Sequence, residues 1–284
     1  MNFDETGCLY VSDLDGTLLQ SDGTLSDETK RIIRGFIEAG GAFTLCTGRP
    51  TGLVLAIAAE LGVRLPVLTY NGAMGFCLQE RRYIHHRLVP EAIAQSMLAL
   101  TKAREIDFVM YVLDKDGNTV LVHSRPTYPV MAKFLSDHIR YEHLVERYDP
   151  GMALQPGDQM VQIVAINTYA LLTELQQALK NDLDVKVFLV ECHDDPGQWF
   201  MEATSNKSTK GKGVTWLRDH LAARQVVCFG DLLNDIPMFE VADTAVAVEN
   251  AADDLKAIAS TVTSCNDTHG VARFLAERYG LGAV

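Results

Sequence analysis

Two short apolar runs, Leu9-Tyr10-Val11-Ser12 and Val226-Val227-Cys228-Phe229, each break off into an acidic loop bearing a glycine. The first continues as Asp13-Leu14-Asp15-Gly16-Thr17-Leu18 and the second as Gly230-Asp231-Leu232-Leu233-Asn234-Asp235. Loops of this kind meet in a doubly wound α/β fold, whose sheet collects the carboxyl ends of its strands in one crevice, where ligands bind. The intervening sequence carries the rest of that pattern. After a strand at residues 9–12, Ser26 is a candidate cap for a helix over 26–39, in which Ile32, Ile33, Phe36 and Ile37 recur at helical spacing before Gly40-Gly41 ends it. A second strand at 42–46 leads into Thr47-Gly48-Arg49-Pro50, and Pro50 suits the first turn of a helix reaching residue 61. A third strand at 67–70 runs into Asn71-Gly72. Mostly apolar strands alternating with helices predict a parallel sheet covered on both faces.

From about residue 80 the texture changes. Strands are expected at 83–88, 108–113, 119–123, 160–166 and 185–191, and helices at 90–104, 128–138 and 169–181. Asp114-Lys115-Asp116-Gly117-Asn118 between two β-rich runs is a turn signal for antiparallel pairing. The alternating order then resumes with a helix at 210–223, a strand at 226–229, a helix at 237–241, a strand at 244–248 and two further helices. The expected organisation is therefore a doubly wound core, residues 1–81 plus 203–284, interrupted by an inserted α+β domain at 82–202. A chain of 284 residues accommodates two such domains.

Composition narrows the function classes. Hydrophobic residues make up 48% and charged residues 22%, which excludes a disordered or fibrous chain. Lys+Arg 25 against Asp+Glu 37 leaves a formal charge of −12, with no basic patch to track a nucleic-acid backbone, so an anionic substrate must be met by local positive groups. No apolar run approaches the roughly 18 residues of a membrane span, and residues 1–6 carry no basic, signal-like start. The expectation is a cytoplasmic protein without membrane or nucleic-acid partners. Of the six cysteines, no two stand in a C-x-x-C spacing, and most lie in apolar runs, so zinc is disfavoured and reduced, buried thiols are expected.

Asp13 and Asp15, two apart at a strand end, can face one centre if the chain bends at once, and Gly16 permits the bend. A carboxylate can attack phosphorus, and a neighbouring acid can move the proton of the leaving oxygen. The Asp231 and Asp235 carboxylates add hard oxygen ligands, which favour Mg²⁺ over zinc. Asp-x-Asp-Gly by itself is also an ordinary polar turn. Thr47, at a helix start, suits phosphoryl oxygens and would serve equally as an N-cap.

Asp13-Leu14-Asp15-Gly16-Thr17-Leu18 resembles motif I of the haloacid dehalogenase superfamily, Thr47-Gly48-Arg49 its motif II in the Cof-type subgroup (subfamily IIB), and Gly230-Asp231-Leu232-Leu233-Asn234-Asp235 its motif IV. Ser208-Thr209-Lys210-Gly211-Lys212-Gly213 resembles the motif III region, and Asn71-Gly72-Ala73, Val248-Glu249-Asn250-Ala251 and Asp267-Thr268-His269-Gly270-Val271 resemble further Cof-type signatures. Order and spacing agree along the whole chain, more weakly in the insertion. The resemblance implies a Rossmann-like core with a C2B-type cap that sets substrate specificity. It makes Asp13 the nucleophile and Asp15 the general acid/base. Asp13, the main-chain carbonyl of Asp15, and Asp231 would hold Mg²⁺, with Asp235 acting through water. Thr47 and Lys210 would bind the phosphoryl group, joined by Asn234, Gly48 and Arg49. Leu232 departs from the usual glycine, and Val248-Glu249 from the usual Met-Gly. Lys207, Lys210 and Lys212 compete for the motif III role; Lys210 is favoured because it directly precedes Gly211.

The implied activity is Mg²⁺-dependent hydrolysis of small phosphorylated metabolites such as sugar phosphates through an aspartyl-phosphate. A phosphomutase or phosphotransferase of the same superfamily, or a non-catalytic binder of phosphorylated ligands, are the alternatives. Arg49 is equally suited to touch substrate or to pair with a core carboxylate. His85-His86 and Cys192-His193-Asp194-Asp195 invite a metal reading, but neighbours on a strand point to opposite faces. Tyr128, Trp199, Phe200 and Glu202 are expected to pack against the sheet of the insertion rather than line a pocket.

Overall fold

The computed structural model describes residues 7–139, 145–192 and 196–280. In chain order its elements are β1 (Cys8–Ser12), α1 (Asp27–Glu38), β2 (Ala42–Leu45), α2 (Thr51–Leu61), β3 (Val67–Thr69), β4 (Met74–Cys77), β5 (Arg82–His86), α3 (Glu91–Lys102), β6 (Phe108–Leu113), β7 (Thr119–His123), α4 (Pro129–Ile139), β8 (Val145–Tyr148), β9 (Gln159–Thr168), α5 (Tyr169–Asp182), β10 (Val185–Glu191), β11 (Gln198–Ser205), α6 (Lys210–Leu221), β12 (Gln225–Gly230), α7 (Ile236–Phe239), β13 (Thr244–Val248), α8 (Asp253–Ile258), β14 (Thr261–Thr263) and α9 (Gly270–Tyr279). They divide into two units, one formed by the residues up to His86 together with those from Thr209 onward, the other by Arg87–Ser208.

The first unit is built on a parallel sheet in the order β14-β13-β12-β1-β2. One parallel bridge, Cys46 to Leu68, carries the sheet on to β3, from which β4 and β5 fold back as antiparallel strands. β1 and β2 are buried along their whole length, as a sheet covered on both faces requires. Ser26 caps α1 by accepting the Thr29 N–H at 3.0 Å, and the helix lays Ile32, Ile33 and Phe36 into the core, where the Phe36 ring meets Tyr10 edge-on at 5.2 Å. The topology positions the site: β1 and β12 are neighbours, with Ser12 opposite Phe229, so the two acidic loops leave the sheet side by side.

The second unit has a six-stranded sheet, β10-β11-β9-β6-β7-β8, antiparallel throughout except for the β7–β8 pair. The β6–β7 hairpin closes through Asp114, whose Oδ1 accepts the N–H groups of Asp116 and Asn118. It has its own core, in which Met97 and Leu98 of α3 and Leu172 and Leu175 of α5 pack with sheet residues such as Met110 and Ile163.

The division falls a few residues later than 82 and 202 at both ends. β5 pairs with β4 inside the first unit, and β11 runs to Ser205 between β9 and β10. β4, β8, β11 and β14 are strands that the sequence periodicity does not predict. β4 holds Gly75 at its centre, where Trp216 leaves no room: an added Cβ would meet its ring at 2.9 Å. β14 is a three-residue edge with little burial. Among the described residues, no helix is long and apolar enough to cross a membrane.

Candidate active site

Asp13 follows β1 directly, is 5% exposed, and donates its N–H to the Phe229 carbonyl at 3.0 Å, tying the first acidic loop to the second strand. The chain bends at Gly16, whose φ is +70°; a Cβ there would fall 2.2 Å from Asp231 Oδ2, so only glycine allows the two loops this close. Three polar bonds fix the approach. Thr17 Oγ1 donates to Asp231 Oδ1 at 3.0 Å, Asn250 Nδ2 donates to the Gly16 carbonyl at 2.7 Å, and the Asn266 N–H donates to Asn250 Oδ1 at 3.0 Å.

The second loop is organised by Asp235, which is fully buried. Its Oδ2 accepts the N–H groups of Asp231 at 2.9 Å and Leu232 at 3.1 Å, and its Oδ1 accepts Lys210 Nζ at 2.6 Å. Lys210 opens α6 behind Thr209, whose Oγ1 accepts the Lys212 N–H at 3.2 Å. Its ammonium, also buried, stands 2.7 Å from Asp13 Oδ1. Lys210 thus bridges Asp13 and Asp235, whereas Lys207 and Lys212 are exposed.

Asp13, Asp231 and Asp235 each present an oxygen within 4.8 Å of the others. Three carboxylates against the one Lys210 ammonium leave a formal −2 in a buried place. Burial, joined by the charges of Asp235 and Asp231, therefore pushes the Asp13 carboxyl well above the ordinary range despite Lys210 beside it. Asp231 is pushed up to about 7, by burial first and Asp235 second, with Thr17 opposing. Burial alone would lower the Lys210 pKa; Asp13 and Asp235 outweigh it and keep the ammonium charged. This all-oxygen, over-anionic donor set fits a hard divalent cation.

Thr47, 1% exposed, accepts the Arg49 N–H on Oγ1 at 3.1 Å, and its carbonyl accepts the Asn71 N–H at 2.9 Å, joining the loops after β2 and β3. Gly48 passes close to the Asn71 amide, and Asn71 Oδ1 accepts Asn234 Nδ2 at 3.2 Å. Asp15 lies apart from the buried cluster. Its carboxylate, 57% exposed, is gripped by Arg49 through Nε at 2.8 Å and an Nη at 2.5 Å. Arg49 thus pairs with a carboxylate, an exposed one rather than one of the core.

The sequence by itself assigns no role to Thr17, Asn71, Asn250 and Asn266. The first three stand inside quoted motifs, but a residue that holds another's oxygen has no chemical signature of its own. Elsewhere, His85 stacks on Trp216 at 4.3 Å, Trp199 meets Tyr169 at 4.6 Å, and Phe200 meets Phe134 at 5.3 Å. Tyr128 and Glu249 are exposed and Glu202 is half-buried. The Cys192-His193-Asp194-Asp195 candidate falls, past Cys192, outside the described residues.

The family model of the haloacid dehalogenase-like hydrolases matches residues 10–275. 5-Amino-6-(5-phospho-D-ribitylamino)uracil phosphatase YwtE of Bacillus subtilis (strain 168) is 29% identical over 292 aligned residues, covering 94% of this chain and 96% of its own. Pyridoxal phosphate phosphatase YbhA of Escherichia coli (strain K12) is 27% identical over 279, covering 93% and 95%. The solved structure of the HAD subclass IIB sugar phosphatase BT4131 shares the fold with a TM-score of 0.73 at 20% identity, covering 96% of this chain and 99% of that one. With its core built around these motifs and the family matched over most of its length, this chain belongs to the haloacid dehalogenase-like hydrolases and is a phosphatase.

Proposed function

We propose that this protein is a Mg²⁺-dependent phosphatase of small phosphorylated metabolites, sugar phosphates among them, and that it works through an aspartyl-phosphate on Asp13. The observation that carries this reading is the buried Asp13–Lys210–Asp235 chain beside Asp231, at the carboxyl ends of two adjacent strands. The named substrates of YwtE and YbhA, both small phosphomonoesters, support the substrate class.

In this reading Asp13 attacks phosphorus, the ester P–O bond breaks, and Asp15 gives its proton to the departing oxygen. Asp15 then takes a proton from a water that attacks the same phosphorus, the bond to Asp13 breaks, and inorganic phosphate leaves. Lys210, held from behind by Asp235, meets the phosphoryl oxygens as a desolvated charge aimed in advance. The Thr47 hydroxyl, whose oxygen already accepts the Arg49 N–H, keeps its proton for a phosphoryl oxygen, with Gly48 and Asn234 alongside. Arg49 fixes the direction of Asp15. Asp13, Asp231 and the Asp15 carbonyl would hold Mg²⁺, with Asp235 behind them. The ion would offset the repulsion between Asp13 and an anionic ester and draw charge from the phosphoryl oxygens. Residues 87–208 would act as the specificity cap.

The test is phosphate release over a panel of sugar, nucleotide, glycerol, pyridoxal and flavin phosphates with Mg²⁺. Release to water is expected. Transfer to a sugar hydroxyl would make the protein a phosphotransferase, and silence across the panel would make it a binder.

A further inference from the structure

A cleft of about 480 Å³ opens within the first unit, at the end of the sheet opposite the acidic loops. Arg64 and Pro66 reach it from the connection that enters the amino end of β3, Glu80, Arg82 and Ile84 from the β4–β5 hairpin, and His220 and Leu221 from the carboxyl end of α6. Lys210 opens that same helix ten residues before His220, so the cleft lies about 15 Å along the axis from the Lys210 end. Its walls divide by chemistry. Pro66, Ile84 and Leu221 are apolar. Trp216 covers one face of the His220 ring, with centroids 5.0 Å apart and planes 15° from parallel, and is itself stacked on His85 at 4.3 Å. The exposed remainder of His220 lines the cleft. Arg82 is paired with Glu80, its Nε 2.6 Å from Oε2. Among the described residues, neither Arg64 nor His220 has a hydrogen bond or an ion pair. Two arginines against one glutamate leave one formal positive charge here, in a chain of net charge −12.

We infer that this cleft is a second ligand site, for small aromatic or heteroaromatic carboxylates. It shares no residue with the site of Asp13, and the inference is independent of the phosphatase reading. Arg64 offers a planar fork that meets a carboxylate at two points. His220, already the end of a column of three rings, extends that column to a flat ligand, while the apolar wall takes up the ring edge. The single leftover charge sets the ligand's charge. Beside a helix carboxyl end, which disfavours anions, it balances a carboxylate and leaves a phosphate dianion in excess.

The test is an NMR titration of the whole protein at about pH 8 with benzoate, nicotinate, nicotinamide, cyclohexanecarboxylate and phenylphosphonate, in the wild type, Arg64→Ala, Arg64→Lys and His220→Ala. Benzoate and nicotinate are expected to bind at one site. Nicotinamide, which lacks the charge, should bind about tenfold more weakly, and cyclohexanecarboxylate, which lacks the flat ring, about fivefold. Phenylphosphonate, a dianion, should bind no more tightly than benzoate. Arg64→Ala should weaken benzoate about tenfold and His220→Ala about fivefold. Arg64→Lys, which keeps the charge but not the fork, should fall between the wild type and Arg64→Ala. Both side chains are exposed, so the melting temperature should hold in every variant. Failure of benzoate and nicotinate to bind overturns the inference, as does equal binding of nicotinamide or cyclohexanecarboxylate, or tighter binding of phenylphosphonate. Binding left intact by Arg64→Ala, or displaced by inorganic phosphate with Mg²⁺, places the carboxylate elsewhere and overturns it too.

Discussion

The two units differ in what they bury. In the first, Asp13, Lys210, Asp231 and Asp235 lie inside, at the carboxyl ends of strands or the start of a helix; among the described residues of Arg87–Ser208 the buried ones are mostly apolar, with uncharged groups such as Gln162 and Thr204, and the enclosed Asp158 carboxylate, 4% exposed, has an arginine of its own, Arg147. Burying charge costs several kcal/mol per ion unless partners offset it, and in the first unit three carboxylates share one ammonium. A fold keeps such a cluster where chemistry needs it. The first unit thus holds a costly ionic cluster at its strand ends, while the second packs its sheet around an apolar core of its own.

The sharpest way to break this contrast is Asp13→Asn. Activity should fall by roughly 10⁴-fold or more, because the nucleophilic charge is gone. Since Asp13 is pushed toward its neutral form in the fold, the melting temperature should hold or rise. Substantial turnover in the folded variant would move the nucleophile elsewhere.

Lys210→Ala should cost about 10²–10³-fold in kcat/KM. It should also destabilise by roughly 3–5 kcal/mol, since it leaves Asp13 and Asp235 buried without their cation. Exposed Lys207→Ala and Lys212→Ala should do neither. Similar small effects from all three, by kinetics and denaturant melts, would dissolve the special status of the first unit's interior.

Arg49→Ala should lower kcat by about tenfold, with KM for acetyl phosphate little moved and partial rescue in Arg49→Lys, because a lysine can hold Asp15 at one point but not two. A loss confined to KM would instead place Arg49 on the substrate.

The smallest effect is in stability against pH. Asp231 titrates at about 7 in the fold, above the ordinary 3.8, so the folded apo-protein holds a proton that the unfolded chain releases. Its contribution favours the fold below about pH 4 and is lost as pH rises through 7. A divalent ion needs the ionised carboxylates, so Mg²⁺ should raise the melting temperature more at pH 8 than at pH 5, and binding near pH 6 should release protons from Asp231 and Asp13. Calorimetry showing no proton release would remove the metal from this cluster.

Much of this was legible in the sequence because periodicity and local chemistry agree there. β6, β7, β10 and β13 occupy the expected residues, and Ser26 caps α1 as its position suggests. The loops of Asp13 and Asp231 could be brought together in advance because each acid directly follows a strand in a fold that gathers those ends, whereas Lys210 came in through its motif and its bridge between Asp13 and Asp235 was not legible. The partner of Arg49 was not legible, since pairing of side chains across a sheet depends on distances that spacing does not encode. Nor was β11, whose Gln198-Trp199-Phe200-Met201-Glu202 stretch mixes polar and apolar residues without clean alternation and is a strand because β9 and β10 flank it.

The central claim, that a carboxylate of the first unit attacks phosphorus before water does, is tested most directly by the stereochemical course at phosphorus, using a thiophosphate ester made chiral with oxygen isotopes and hydrolysed in water of the remaining isotope, so that the released thiophosphate is itself chiral. Two successive in-line displacements, the first by Asp13 and the second by water, predict net retention of configuration. Inversion would mean one direct attack by water and would contradict the account.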